Sequence, residues 1–436
     1  MQRYIQYMYS YPHKTAYRPL EGISVKDYLR SLVGTRDNGL YFHIPFCEGK
    51  CGYCNLFSVT GQSENRMADY LNAMERQARQ YSDLWKSSAE GVPPVFSDFT
   101  VGGGTPLLLS PKQLVRMFEL AGQYFAFAKD LFTVVETSPN QTTREKLQIV
   151  KQFGTSRVSI GVQSFQEEEL RTLHRCHTAA RAKQALAWIK EAEFPCVNLD
   201  LIYGIPGQTP ASLEESIKQA LEFVPDEIFA YPLYVKEGVW LKNKAAIEEI
   251  DEELAGQEYE LLRDMLREHG YRQDSMRRFV KKKVKKQDAW KECGFGNTVS
   301  IGCGGRSYIK DLHFCTPYAV QQPSCRSILQ KYIENPLDWD FFVGYVLSFE
   351  EQRRRYVIKH LFFGAGLHKR AYHERFGAKP QEHFPILSDW IQAGYMRDAG
   401  GYLGVTEKGM AFSDALGPML ISEEVRGRMK SWREAR

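Results

Sequence analysis

No apolar run in the 436 residues reaches membrane-spanning length, so no spanning helix is expected. The start, MQRYIQYMYS, lacks the apolar stretch of a secretory signal. Neither sign of charge dominates: 57 Lys and Arg stand against 53 Asp and Glu, and a net charge of +4 is too mild for nucleic-acid binding. There is no internal repeat and no low-complexity linker. Cysteine is scarce, at nine residues. Six of them (Cys176, Cys196, Cys293, Cys303, Cys315 and Cys325) form no paired CxxC, which argues against a zinc ribbon. Free thiols without a disulfide framework imply a reducing, cytoplasmic setting. What remains is a globular chain, 43% hydrophobic and 25% charged, long enough for a large core and two or three domains.

The other three cysteines lie close together in YFHIPFCEGKCGYCNLF, at Cys47, Cys51 and Cys54. Three thiolates in this spacing suit three irons of a [4Fe–4S] cube and leave the fourth iron open. Clusters are usually held by four cysteines, so a vacancy implies an exogenous ligand. An open iron can chelate an amino acid through its amine and carboxylate, as S-adenosylmethionine (SAM) requires. The loop therefore points to radical chemistry carried by a cofactor, with the protein supplying binding and orientation.

From residue 39 to about 235 short apolar strands alternate with helical patterns. Strands are expected at 39–44, 96–101, 131–136, 157–161, 197–202 and 227–233, with helices over 111–125, 184–191 and 211–223. Repeated β-α units imply a parallel sheet with helical crossovers, and six strands suit an open barrel better than a closed one of eight. Residues 1–38 carry no clear period. A long amphipathic helix is expected over 251–269, and short strands with glycines over 271–310. A helix at 350–363, another at 384–394 and a hairpin at 395–405 suggest a small winged-helix-like unit.

Ligands in such architectures bind at the carboxyl ends of the strands. The suggestive polar residues fall there: the cysteine loop after the first strand, Gly102–Pro106 after the second, Glu136 ending the third, Gln163 just past the fourth, Asp200 in the fifth and Tyr231 in the sixth. The glycine triplet lets backbone groups approach a ligand but lacks the Lys-Ser/Thr of a phosphate loop. An acid such as Asp200 inside an apolar strand must be bonded to something. Tyr41, six residues before the first cysteine, and Tyr53, between the second and third, offer rings for stacking on a base. The lysine run at 281–286 reads first as a solvated loop or a protected sheet edge, and second as a docking patch.

With these motifs together, the chain resembles the radical SAM superfamily, in the branch of oxygen-independent coproporphyrinogen III oxidase and its relatives. The words that carry the resemblance are YFHIPFCEGKCGYC, VGGGTP, VETSPN, RVSIGVQSFQ, NLDLIYGIPGQT, PDEIFAYPLY and SIGCGGRSYI. It implies an α/β fold, a partial (β/α)6 TIM-like barrel of radical SAM type over 39–235, preceded by a substrate-capping segment over 1–38. An α+β extension over 236–345 and a winged-helix-like domain over 346–436 follow. It implies a [4Fe–4S] cluster on Cys47, Cys51 and Cys54. The first SAM falls to Tyr41, Gly103, Gly104, Thr105, Glu136, Arg175 and Asp200, with Tyr41 and Glu136 nearest the chemistry. Tyr53, Gln163, Ile202 and Tyr231 match the surroundings of a second SAM.

The implied activity is reductive cleavage of SAM to a 5′-deoxyadenosyl radical that modifies a small organic substrate, by decarboxylation of a porphyrinogen-like compound or by methyl or methylene transfer. A flavodoxin- or ferredoxin-type protein would supply the electron. The same family implies an alternative, a haem-binding chaperone without turnover. The chain departs from the oxidase at Leu56, where the oxidase has a further cysteine two residues after the third ligand.

Overall fold

The computed structural model describes residues 2–88, 91–243, 250–281, 296–336 and 338–434. Six parallel strands form its centre: β1 (Asn38–Ile44), β2 (Val95–Gly103), β3 (Ala126–Thr137), β4 (Arg157–Gln163), β5 (Cys196–Tyr203) and β6 (Glu227–Pro232). They stand side by side in sequence order. The helices Glu64–Lys86, Pro111–Tyr124, Arg144–Gln152, Ala179–Glu191 and Pro210–Leu221 make the crossovers. This is the α/β architecture expected from the alternating pattern.

Local chemistry accounts for each crossover. The helix Pro111–Tyr124 starts with Pro at its first turn, which avoids an orphan N–H, and Gln113 Oε1 accepts from Ser110 N–H at 3.1 Å. It ends at Phe125, whose backbone is extended. Its buried side chains include Leu114, Met117, Phe118 and Ala121, one face at helical spacing. The helix Glu64–Lys86 buries Met67, Tyr70, Leu71, Met74, Ala78, Tyr81 and Trp85 against the same sheet. Each such fully buried apolar side chain contributes on the order of 2 kcal/mol.

The sheet extends well past the six expected strands, to thirteen. Thr298–Ile301 adds a seventh parallel strand beside β1. Antiparallel strands Arg306–Ile309, Leu312–Cys315 and Val343–Val346 continue that edge, and Arg18–Pro19 closes it. On the far side Arg278–Lys281 runs antiparallel to β6 and pairs with Tyr271–Gln273. Several boundaries also differ from the sequence expectation: β3 starts at Ala126 and the helix Ala179–Glu191 at Ala179, five residues early in each case. Gly102 and Gly103 belong to β2 itself, and Gln163 is the last residue of β4.

Residues without a legible period still fold: Lys14–Ala16 makes one tight turn and Val25–Arg30 a short helix. The long amphipathic helix runs Glu252–Glu268. The C-terminal unit contains helices Phe349–Leu361, Lys369–Phe376 and Ile386–Gln392 and a three-stranded sheet with the hairpin Met396–Ala399/Tyr402–Val405. Its core also takes in Met8, Tyr11, Ala16 and Tyr17 from the N-terminal segment. Lys281 ends its strand and donates to the His269 carbonyl at 3.1 Å, while Lys282, Lys283, Lys285 and Lys286 lie outside the described residues. Among the described residues no helix is long and apolar enough to cross a membrane.

Candidate functional site

The parallel register sets the site. Tyr41 pairs with Thr100, Ile44 with Gly103, Glu136 with Ser159, Gly161 with Asp200 and Ile202 with Tyr231. These pairings bring the expected residues of six strands to one end of the sheet. The chain passes from β1 through Pro45 into Phe46–Cys47, which pairs with Val59–Thr60. That short pairing holds the cysteine loop over the strand ends.

The loop is fixed from several sides. Gly52 N–H donates to the Leu173 carbonyl at 2.9 Å, and its own carbonyl accepts from Leu241 N–H at 2.8 Å. Cys54 N–H donates to the Cys51 carbonyl at 3.1 Å, closing the turn between two of the thiols. Arg175 donates to Cys51 Sγ at 2.9 Å and to the Gly161 carbonyl at 2.6 Å. Burial opposes its charge, but the Cys51 thiol and the Tyr53 hydroxyl beside it hold the guanidinium protonated more firmly than usual. Burial, then the neighbouring Cys54 and Cys51, pushes the Cys47 thiol up to about 12. Such thiols ionise when a metal takes the proton's place.

Each glycine of the triplet faces one member of the site. A Cβ on Gly102 would stand 2.5 Å from the Glu136 carboxylate, one on Gly103 2.7 Å from the His43 ring, and one on Gly104 2.9 Å from Cys47 Sγ. Gly103 also has φ +117°, which glycine adopts at little cost. Gly104 N–H donates to the Ile44 carbonyl and Thr105 N–H to the Phe46 carbonyl, both at 2.8 Å, so the triplet is laced to the cysteine strand. Thr105 Oγ1 lies 3.9 Å from Cys47 Sγ.

Further in, Glu136 accepts from Gly103 N–H at 3.1 Å, and burial raises its carboxyl pKa. Asp200 accepts from Asn198 Nδ2 at 2.8 Å, which answers the question of what bonds it. Burial pushes Asp200 up to about 7; Glu136 adds to the rise, and Asn198, Arg157 and Arg175 oppose it. Gln163 has φ +75° at a register shift between β4 and β5. Its amide folds back so that a Cβ on Gly161 would meet Nε2 at 2.8 Å. A non-glycine residue in that region stores strain of the kind that collects at functional sites. Ile202 is buried with Leu173, Ile205, Leu233 and Leu241, and Tyr53 and Tyr231 pack against that cluster. The structure thus brings all the expected residues to one region, with Ile202 serving as apolar wall.

Several neighbours were not among the expected site residues. His43 is buried, and burial pushes its ring down to about 4. Its Nε2 lies 3.0 Å from the Phe57 carbonyl and so carries the proton, which leaves Nδ1 to accept from Tyr41 hydroxyl at 3.3 Å. Arg306 and Lys14 also face this region, from residues 265 and 27 positions away from Tyr41. Only His43 had a local clue, its place two residues after Tyr41 on an alternating strand.

The donor set fits an iron–sulfur cube. Three free, partly buried thiols sit on one short loop. Among the described residues no three His, Cys, Asp or Glu side chains close around a single metal ion. Thiolates gathered on one loop are the ligand type that iron–sulfur clusters take.

Residues 41–220 match the model of the Radical SAM superfamily. The chain is 27% identical over 378 residues to "Heme chaperone HemW" of Bacillus subtilis strain 168, covering 85% of this chain and 95% of the relative. It is 29% identical over 232 residues to "Oxygen-independent coproporphyrinogen III oxidase" of Escherichia coli K12, covering 52% and 50%. The solved structure of coproporphyrinogen III oxidase (HemN) from Escherichia coli superposes with a TM-score of 0.78 at 22% identity, covering 98% of each chain. The three-cysteine loop lies within the residues that match the Radical SAM superfamily model. Within that superfamily the chain is similar to the haem chaperone and coproporphyrinogen III oxidase relatives of the HemN-like family, and it shares the fold of HemN. A [4Fe–4S] cluster and SAM are the superfamily's cofactors.

Proposed function

We propose that this chain is a radical SAM enzyme with a tetrapyrrole substrate, and that it holds two SAM molecules. The carrying observation is the continuous set of polar and aromatic side chains across the ends of six strands, set against a loop of three thiols. The tetrapyrrole class comes from the relatives, named a haem chaperone and a coproporphyrinogen III oxidase.

Cys47, Cys51 and Cys54 would hold the cluster. When bound, it supplies the electron that splits SAM into methionine and a 5′-deoxyadenosyl radical. Arg175 balances thiolate charge at Cys51 and fixes the loop against Gly161. The first SAM would lie along Tyr41, Gly103, Gly104 and Thr105, with the Glu136 and Asp200 carboxylates offered to its amine and ribose. Glu136 is oriented by Gly103 N–H and Asp200 by Asn198, so neither must reorganise on binding. Tyr53, Gln163, Ile202 and Tyr231 would wall the second. Tyr7, Tyr9 and His13 of the N-terminal segment form a ring-to-ring chain from Tyr231 to Tyr318 and exclude water from this end of the sheet.

The test is anaerobic turnover of the reconstituted protein with dithionite, SAM and a tetrapyrrole, following 5′-deoxyadenosine, methionine and S-adenosylhomocysteine. Deoxyadenosine and methionine alone support decarboxylation, and added S-adenosylhomocysteine supports methyl transfer. A second reading, a haem chaperone, is favoured by the similarity to HemW across 85% of the chain. Haem retention with a full cluster and no SAM cleavage would replace the first reading with the second.

A further inference from the structure

Lys14 is a buried amine with no acidic partner among the described residues. Only 8% of the residue is exposed. Among the described residues it makes no ion pair, and its contact is the Tyr318 ring, with Nζ 3.6 Å from the centroid. Burial, and then the charge of Arg306, pushes its ammonium down to about 7, with the thiols of Cys315, Cys54 and Cys325 acting the other way. A buried charge is costly unless it is paired, and a like charge nearby adds to the cost.

The location is specific. Tyr318 hydroxyl donates to the Asn55 carbonyl at 2.7 Å, one residue beyond Cys54. Lys14 acts electrostatically on both Cys54 and His43. It therefore sits at the rim of the cysteine loop, on the side covered by the N-terminal segment. Arg306 arrives from the sheet: it donates to Ser10 Oγ at 2.6 Å and lies over the Tyr9 ring at 4.6 Å. Two cations and the rings of Tyr9, His13 and Tyr318 thus share one enclosed corner. That corner is matched by a flat aromatic ligand carrying an anionic group.

We propose that Lys14, assisted by Arg306, is the counter-charge for a carboxylate of the tetrapyrrole and selects ligands whose carboxylates are free. The assignment rests on the tetrapyrrole reading above. Lys14 is a positioning residue here: it holds the ligand edge and takes no part in bond breaking.

The experiment is an anaerobic absorbance titration of the reconstituted full-length protein with ferric protoporphyrin IX and with its dimethyl ester. Wild type is expected to bind the free acid at least about tenfold more tightly than the ester, the range of one charge-assisted contact. Lys14→Met should lose that preference and leave ester affinity unchanged, and Lys14→Arg should restore most of it. Iron content and melting temperature are followed for each variant, and Lys14→Arg decides the matter if the Met variant fails to fold. Equal binding of acid and ester by wild type, or an unchanged preference in Lys14→Met, overturns the counter-charge while leaving the tetrapyrrole reading intact. Binding of neither compound by wild type overturns both.

Discussion

At the scale of single residues, chemistry here is set by burial. Asp200 illustrates the sign. Its carboxyl is pushed up from the ordinary value to about 7, chiefly by desolvation. An acid whose folded value is raised contributes stability that is complete below the unfolded value and is lost as pH rises through the folded one. Between pH 5 and pH 8 the protein without SAM should therefore lose roughly 3 kcal/mol that Asp200→Asn retains, taking ~1.4 kcal/mol per pH unit over the two units from 5 to 7. Melting curves of the two proteins at both pH values check this, and parallel pH dependence would show that Asp200 is not buried as a charge. Ligand binding should move the other way, because Asn offers no charge to a ribose or amine. The residues legible in the sequence were those whose meaning is local: three thiols within eight positions, a glycine triplet, an acid in an apolar strand. His43, Lys14 and Arg306 were illegible for the opposite reason. Each is an ordinary residue in its own stretch, and they come together only when Thr298–Ile301 pairs with β1 and the N-terminal turn packs beside Val343–Val346.

At the scale of elements, the glycines separate function from helix formation. A Cβ added at Gly104 would meet the Phe46 carbonyl at 2.7 Å and Cys47 Sγ at 2.9 Å, whereas one at Gly122, in the helix Pro111–Tyr124, would meet nothing within 4 Å. Gly104→Ala should push the cysteine strand off β2 and lower iron bound per chain on reconstitution. Gly122→Ala should leave iron content alone and stabilise the helix by about 0.5–1 kcal/mol, the propensity difference between the two residues. Equal iron content in both variants would show that the triplet does not position the loop. The elements themselves were legible where hydrophobic period and strand length agreed, as in all six central strands. The edge strands were harder to read because they are short: Thr298–Ile301 and its antiparallel neighbours have four residues each, too few for a period to show. Their existence depends on the edge of β1 being available, which is a fact of tertiary structure.

At the scale of the whole molecule, one buried ion pair joins three distant parts of the chain. Arg277 stands just before the strand Arg278–Lys281, and Asp414 lies in the helix Ser413–Met419 of the C-terminal unit; their side chains are 4% and 2% exposed and paired directly. Tyr234, just past β6, hydrogen-bonds to the same Asp414 oxygen. The Arg277 guanidinium lies 3.7 Å from the Tyr7 ring centroid, and Gln6 N–H donates to the Asp414 carbonyl at 3.1 Å. Tyr7 in turn meets Tyr231 with centroids 6.3 Å apart, so the network ends at the candidate site. Removing one partner leaves a buried charge uncompensated, which costs ~3–5 kcal/mol. Asp414→Ala should therefore melt well below wild type. Because the same carboxylate organises Arg277 under Tyr7, the N-terminal segment should also be cleaved faster by protease in the native state, with the first cuts before Lys14. Asp414→Leu combined with Arg277→Met removes both charges and should recover most of the stability. It should not restore protection of the segment, since Met offers no cation to Tyr7. Protection restored along with stability would mean that packing of Met8, Tyr11 and Tyr17 alone holds the cover in place, and that the ion pair serves only the C-terminal unit.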